Sequence, residues 1–266
     1  METIDALLAH PLILSDTTPF SPRRRNTYQD VIYPAKNFGE LSRIEEEITY
    51  VRTHRDWFRQ PNVCTTKRVV QEHARAYRMF REKLKNLNKR ERSRARRKYG
   101  PRAKPQPTTN KTLFEDLVFG MSRLLIEATH AVLKPALPRE YAQLVNAVTE
   151  LSTRCPIKKD HSRRYGSKRK AADLRADEEL VGAAIYLSLY EHKPCLLVTS
   201  DYDLRELLNA TTTRLRTKEY ALSTAPITLC ITNGHAIEHV WNSADERRAT
   251  VSGARQTIED ILGNTQ

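Results

Sequence analysis

Apolar residues along this chain fall into two signatures, short unbroken runs and stripes at helical spacing, and the two alternate. Leu12, Ile13 and Leu14 make a run within residues 10–15 that ends at Asp16. Residues 63–66 (VCTT), 195–199 (CLLVT) and 226–231 (PITLCI) are three more. Runs this short, without polar alternation, predict strands buried on both faces. Between them, Leu41, Ile44, Ile48 and Val51 predict a helix over 40–58. Val70, Ala74, Tyr77 and Leu84 predict one that opens near Lys67. Asp177, Leu180, Val181, Ala184 and Leu187 recur at i, i+3, i+4, i+7 and i+10, and so predict a helix with Asp177 at its inward amino end. A weaker stripe, Val251, Ala254, Ile258 and Ile261, predicts a terminal helix over 243–262.

Strands alternating with helices predict an α/β fold with a doubly wound, mostly parallel sheet. The long stretch between the second and third strands does not fit a single crossover. Gly100, Pro101, Pro105 and Pro107 mark a linker in it. Two helical stripes follow, Leu113, Leu117, Met121, Leu124, Ala128 and Val132 over 112–134 and Tyr141, Leu144, Val148 and Leu151 over 139–154, with Pro135 and Pro138 between them. The expected organisation is a discontinuous α/β domain (1–80 and 172–266) carrying an inserted basic arm and α-helical hairpin (81–171).

Charge changes the picture because it is local. The chain of 266 residues carries a formal net charge of +13. Residues 81–104 hold 12 Lys or Arg against 2 Glu, and residues 158–170 hold 7 against 1 Asp. Lys89, Arg90, Arg92, Arg94, Arg96, Arg97 and Lys98 in the first tract, and Arg163, Arg164, Lys168, Arg169 and Lys170 in the second, suit phosphate neutralisation better than an isolated helix with alternating signs. The helix that opens near Lys67 is expected to run on into the first tract around Lys89–Lys98, where its apolar stripe disappears, and past that point to be a solvated arm or disordered until a partner orders it. Tyr99 and Tyr165 sit in the two tracts as aromatics that suit base stacking.

Acids fall at matching places in the alternation. Asp16 ends the first strand, Glu72 follows the second, Asp177 opens the central helix and Asp201 follows the third strand, with Asp203 two residues on. In a parallel sheet these positions share the carboxyl edge, where ligand crevices form. Converging carboxylates call for a hard divalent cation, so one or two Mg²⁺ or Mn²⁺ ions are the expected cofactor, with phosphodiester hydrolysis as the matching chemistry. Taken singly, Asp16, Asp177 and Asp201 also suit helix caps, and Glu178 competes with Asp177. His73, His161 and the other histidines read as packing or surface residues, and Trp57 and Trp241 as core or cover.

Four segments, ILSDTT (13–18), VCTTKRVVQE (63–72), ADEELVGAA (176–184) and LVTSDYDL (197–204), resemble, in order, the signature segments of PIN-domain nucleases. The resemblance covers roughly residues 8–80 and 172–232. It implies that Asp16, Glu72, Asp177 and Asp201 bind metal and carry catalysis, that Asp203 is a supplementary metal ligand, and that Thr17 and Thr199 are supporting residues. It further implies metal-dependent endonucleolytic cleavage of single-stranded or structured RNA. The long insertion between Glu72 and Asp177 departs from the family's short helical link.

Two other functions compete with this one: a non-catalytic RNA-binding component of a ribonucleoprotein, and the toxin half of a toxin–antitoxin pair. RNA is the expected partner, with a homodimer or a protein inhibitor as further ones. Cys64, Cys155, Cys195 and Cys230 form no CxxC pair, which together with their apolar settings predicts reduced thiols in a cytoplasmic or other intracellular compartment. No apolar run reaches the ~20 residues of a membrane span and no secretory signal is visible.

Overall fold

The computed structural model describes residues 4–17, 32–105, 108–154, 176–217, 226–233 and 236–242. Its centre is a five-stranded sheet. The strands are β1 (Ile13–Ser15), β2 (Val63–Cys64), β3 (Cys195–Thr199), β4 (Ile227–Asn233) and β5 (Ala236–Asn242), in spatial order β2-β1-β3-β4-β5. The first four are parallel, and β5 returns antiparallel beside β4. β5 is absent from the sequence expectation, while the four expected strands are all present. The expected terminal helix over 243–262 lies outside the described residues.

The order makes β1 and β3 the place where the chain reverses its direction of winding. From β1 it steps outward to β2, then returns to the other side of β1 as β3. A doubly wound sheet opens its crevice there, above the carboxyl ends of those two strands.

Helices cover both faces. They are α1 (Ile44–Phe58), α2 (Lys67–Tyr99), α3 (Thr109–His130), α4 (Pro138–Arg154), α5 (Ala176–Tyr190) and α6 (Tyr202–Thr217). Successive strand residues point to opposite faces, and the core divides accordingly. Ile13, Val63, Leu196, Val198 and Cys230 pack with α1, α3 and the Phe80 and Leu87 positions of α2. Leu14, Cys195, Leu197, Ile227, Leu229 and Ile231 pack with α4, α5 and α6. Unbroken apolar runs in β1, β3 and β4 are what a sheet buried on both sides requires.

The inserted stretch departs from expectation in its helical pair. Its helices do not form a hairpin of their own, because α3 joins one core with Phe114, Leu117 and Leu124 while α4 joins the other with Leu144, Val148 and Leu151. The link between them is sewn to the sheet edge: the Thr65 N–H donates to the Ala131 carbonyl at 2.9 Å, and the Leu133 N–H donates to the Thr65 carbonyl at 2.8 Å. The basic tract is helix to Tyr99, as expected of a helix running on from Lys67, with Leu87 and Ala95 buried on its inner side. These two apolar positions, seven or eight residues apart from Phe80 and from each other, keep the helix seated where the denser stripe ends.

α5 is buried on almost every side. Gly182 allows this, since a Cβ there would come within 2.9 Å of Val145 Cγ2 and 3.0 Å of its Cα. α4 and α5 therefore lie close together. Among the described residues no helix is long and apolar enough to cross a membrane.

Candidate functional site

Register assembles the site. Ser15 pairs with Val198 and the Asp16 N–H donates to the Val198 carbonyl at 3.0 Å, which sets Asp16 beside Thr199 at the carboxyl edge. Asp16 is 3% exposed. A carboxylate so enclosed needs donors, and two hydroxyls serve it. Thr199 Oγ1 donates to Asp16 Oδ2 at 2.7 Å, and Thr17 Oγ1 donates to Asp16 Oδ1 at 3.2 Å. Thr199 Oγ1 in turn accepts the Asp201 N–H at 2.9 Å, so the backbone of Asp201 is tied to Asp16 through one hydroxyl.

Glu72 enters from the second turn of α2. Its Oε2 lies 3.2 Å from the same Thr17 hydroxyl that serves Asp16. One hydroxyl proton is thus shared between two carboxylates, an arrangement in which each acid sees the other's charge. The Thr17 carbonyl is held by Tyr50, whose hydroxyl donates to it at 2.8 Å. Burial, with Glu47 and Asp16 nearby, drives the Tyr50 phenol well above its ordinary range, so it is a permanent donor.

Below this pair lies a buried aromatic layer. His54 stacks on Phe58 with centroids 4.8 Å apart and meets His73 edge-on at 5.1 Å. Burial holds the His54 imidazole well below its usual pKa, the His73 ring adds to this, and the Asp16 backbone carbonyl pulls the other way. Burial also lowers His73 to about 4. Both rings are therefore neutral packing groups at physiological pH, as expected for His73. Tyr50 and His54, which fix the floor of the site, are residues that sequence reasoning missed. Their spacing with Phe58, at i, i+4 and i+8 on α1, was the available signal.

The acids at the start of α5 divide differently from expectation. Asp177 is half-buried, whereas Glu178 is 1% exposed and its Oε1 accepts from Ser152 Oγ at 2.6 Å. On a helix enclosed from all sides, apolar periodicity does not rank neighbours, which is why Asp177 looked like the inward residue. Glu179 is committed elsewhere: its Oε2 accepts the Arg68 N–H at 2.6 Å in the first turn of α2, and its Oε1 accepts from Tyr141 at 3.3 Å. It satisfies an amide that the helix start leaves open, with its charge at the positive end of the α2 dipole.

Asp16, Thr17, Glu72, Thr199 and the Asp201 backbone are therefore brought together. Asp177 and Asp201 stand at the starts of α5 and α6. Among the described residues no three Asp, Glu, His or Cys side chains close to metal-holding distance. Asp203 lies in α6, with its side chain outside the described residues. The group that is assembled is all oxygen, two carboxylates and two hydroxyls, and Asp16 spends two of its roughly four lone-pair sites on hydroxyl donors. That donor set suits a hard cation, and the shared Thr17 proton is the feature such a charge would relieve. No family model matches the chain, and neither a curated protein nor a solved structure matches it.

The basic tract sorts into sides. Lys89, Arg90, Arg94 and Arg97 line an open cavity of about 720 Å³ beside α2. Arg92, Arg96 and Lys98 are exposed and are not among its lining residues, and the Lys98 ammonium sits 5.0 Å from the Tyr99 ring centroid. Arg163, Arg164, Lys168, Arg169 and Lys170 lie outside the described residues.

Proposed function

We propose that the chain is a PIN-like, metal-dependent endoribonuclease. The observation that carries this reading is the Thr199–Asp16–Thr17–Glu72 chain of contacts at the β1/β3 switch point, joined by one long helix to a strongly basic surface. Asp16 and Glu72 would hold Mg²⁺ or Mn²⁺, with Asp177, Asp201 and Asp203 as acids at the same sheet edge. When bound, the ion supplies water activation and charge neutralisation at a phosphodiester. Thr199 and Thr17 fix both oxygens of Asp16, and Tyr50 fixes the backbone that carries Thr17. The buried rings of His54, Phe58 and His73 exclude water from beneath. An intracellular, reducing setting belongs to the same reading. It is supported by the free Cys64 and Cys195, of which burial pushes the Cys64 thiol up to about 12 and the Cys195 thiol up as well.

Cleavage of labelled RNA in Mn²⁺ tests the proposal. Asp16→Asn is expected to lower the rate by ~10³-fold or more, with RNA affinity unchanged within about twofold. Asp201→Asn is expected to act in the same direction. Wild-type protein that binds RNA but cleaves none, with both variants indistinguishable from it, would sink the enzyme reading. The second reading, a non-catalytic ribonucleoprotein component, is favoured by the lack of a three-acid group among the described residues. It predicts salt-sensitive binding that is indifferent to metal.

A further inference from the structure

The turn at residues 33–36 faces α2 across two adjoining cavities that share Lys36, Asn86 and Arg90. The larger, about 720 Å³, is lined among the described residues by five cations, Lys36, Lys89, Arg90, Arg94 and Arg97, and by no carboxylate. The smaller, about 510 Å³, adds Lys83 and Tyr33, with Glu82 as the acid among the described lining residues. Tyr33 is 69% exposed. It is nevertheless held in place, because Lys83 Nζ donates to its carbonyl and lies 5.8 Å from its ring centroid. Burial and the neighbouring Arg90 charge lower the Lys83 pKa, against the pull of Glu40. Like charges crowded along one channel are costly until a polyanion enters it.

The helix fixes where this channel points. At 3.6 residues per turn, Lys83, Arg90 and Arg97 stand about three, five and seven turns beyond Glu72, on the same side of α2, whereas the exposed Lys85 and Arg92 face roughly the opposite way. With a rise of ~1.5 Å per residue, the channel begins ~17 Å and ends ~38 Å from Glu72. A continuous phosphate run needs cations in line, and an exposed ring at the near end offers a platform that only an unpaired base can use. A duplex keeps its base faces stacked and has no use for Tyr33.

We propose that this channel seats single-stranded RNA, phosphates on Lys36, Arg90, Arg94 and Arg97 and a base on Tyr33, and that α2 sets its distance from the Asp16–Glu72 pair. The distance clause rests on the nuclease reading, and the binding clause stands without it. At ~3.4 Å per stacked nucleotide, the near end of the held segment lies about five nucleotides from the acids.

The test compares two double variants of equal charge on one helix, Arg90→Ala with Arg97→Ala against Lys85→Ala with Arg92→Ala. Fluorescence anisotropy is measured on a 20-nucleotide single-stranded RNA of mixed sequence, the same RNA as a duplex, a polyglutamate peptide and anionic vesicles. The first pair is expected to weaken single-strand binding by at least ~10-fold and to lower the slope of log affinity against log salt by about 1.4, and the second pair to change neither appreciably. Tyr33→Ala is expected to cost roughly 5- to 150-fold on the single strand and nothing on the duplex, with Tyr33→Phe restoring it. All four residues are exposed, and far-UV circular dichroism checks that the helix persists. Equal losses from the two pairs, or duplex, peptide or vesicle binding as strong and as channel-dependent as the single strand's, overturn the proposal. Footprinting and cut-site mapping on one RNA read the offset: cuts scattered inside the protected segment overturn the distance clause. If the channel dependence holds and no cleavage occurs, the nuclease reading fails alone.

Discussion

The two halves of α2 are one helix made by two kinds of physics. Its first half is placed by packing and by directed bonds. Val69 sits in one core, Phe80 in the other, His73 lies against His54 and Phe58, and the Arg68 amide is bonded to Glu179 from α5. Its second half is seated, among the described residues, on Leu84, Leu87 and Ala95 and carries a row of exposed cations. The first half can position an acid to within a bond length; the second gathers charge but depends on the first for its direction. Where chemistry needs tolerance of a fraction of an ångström, the chain spends buried contacts, and where it needs only attraction, it does not.

Leu87→Ala strikes the junction between the halves and is expected to have the largest effect, a loss of ~2–5 kcal/mol in denaturant unfolding. Hydrogen exchange should then quicken beyond residue 87 while the amides of residues 70–80 stay protected. Uniform quickening along the helix would mean that the halves are not distinct. Acidification acts on the first half. His73 and His54 have lowered pKa values in the folded protein, so the unfolded chain binds more protons below its ordinary value of 6.5. The stability they contribute is therefore present above that value and drains as pH falls from 6.5 towards 4, on the order of 3 kcal/mol for His73. Urea titrations of the wild type and of His73→Phe at pH 7 and pH 4.5 check this, the variant showing the shallower decline. The smallest change is expected from Glu179→Gln, which keeps an acceptor for the Arg68 N–H but removes its charge, at about 1 kcal/mol.

How much of this could be seen in the sequence follows from how each element is stabilised. β1, β3 and β4 announce themselves as apolar runs because both their faces are covered. Asp16 and Thr199 follow from strand ends, and their meeting follows once the strands are taken as parallel neighbours. β5 was not legible: Ala236–Asn242 mixes Glu238, His239 and Trp241 into a pattern of neither period, and it is held by pairing with β4. The side-by-side packing assumed for α3 and α4 came from their adjacency in sequence, since an amphipathic stripe states that a helix has an inner face and not which layer that face meets. For α5, uniform burial erased the very asymmetry used to prefer Asp177 over Glu178. The sides of the basic tract could have been computed from its spacing, yet nothing in the sequence places the turn at residues 33–36 opposite Lys83 and Arg90.

The stitch between Thr65 and residues 131–133 has a consequence for how copies of the chain meet. Just beyond β2 the outermost parallel strand has both its backbone groups taken by the chain's own link. An open strand edge is a template on which a second molecule can add a strand. Here that template is already used at the point nearest the acids. Strand addition by a second molecule is thereby denied at that point of the edge.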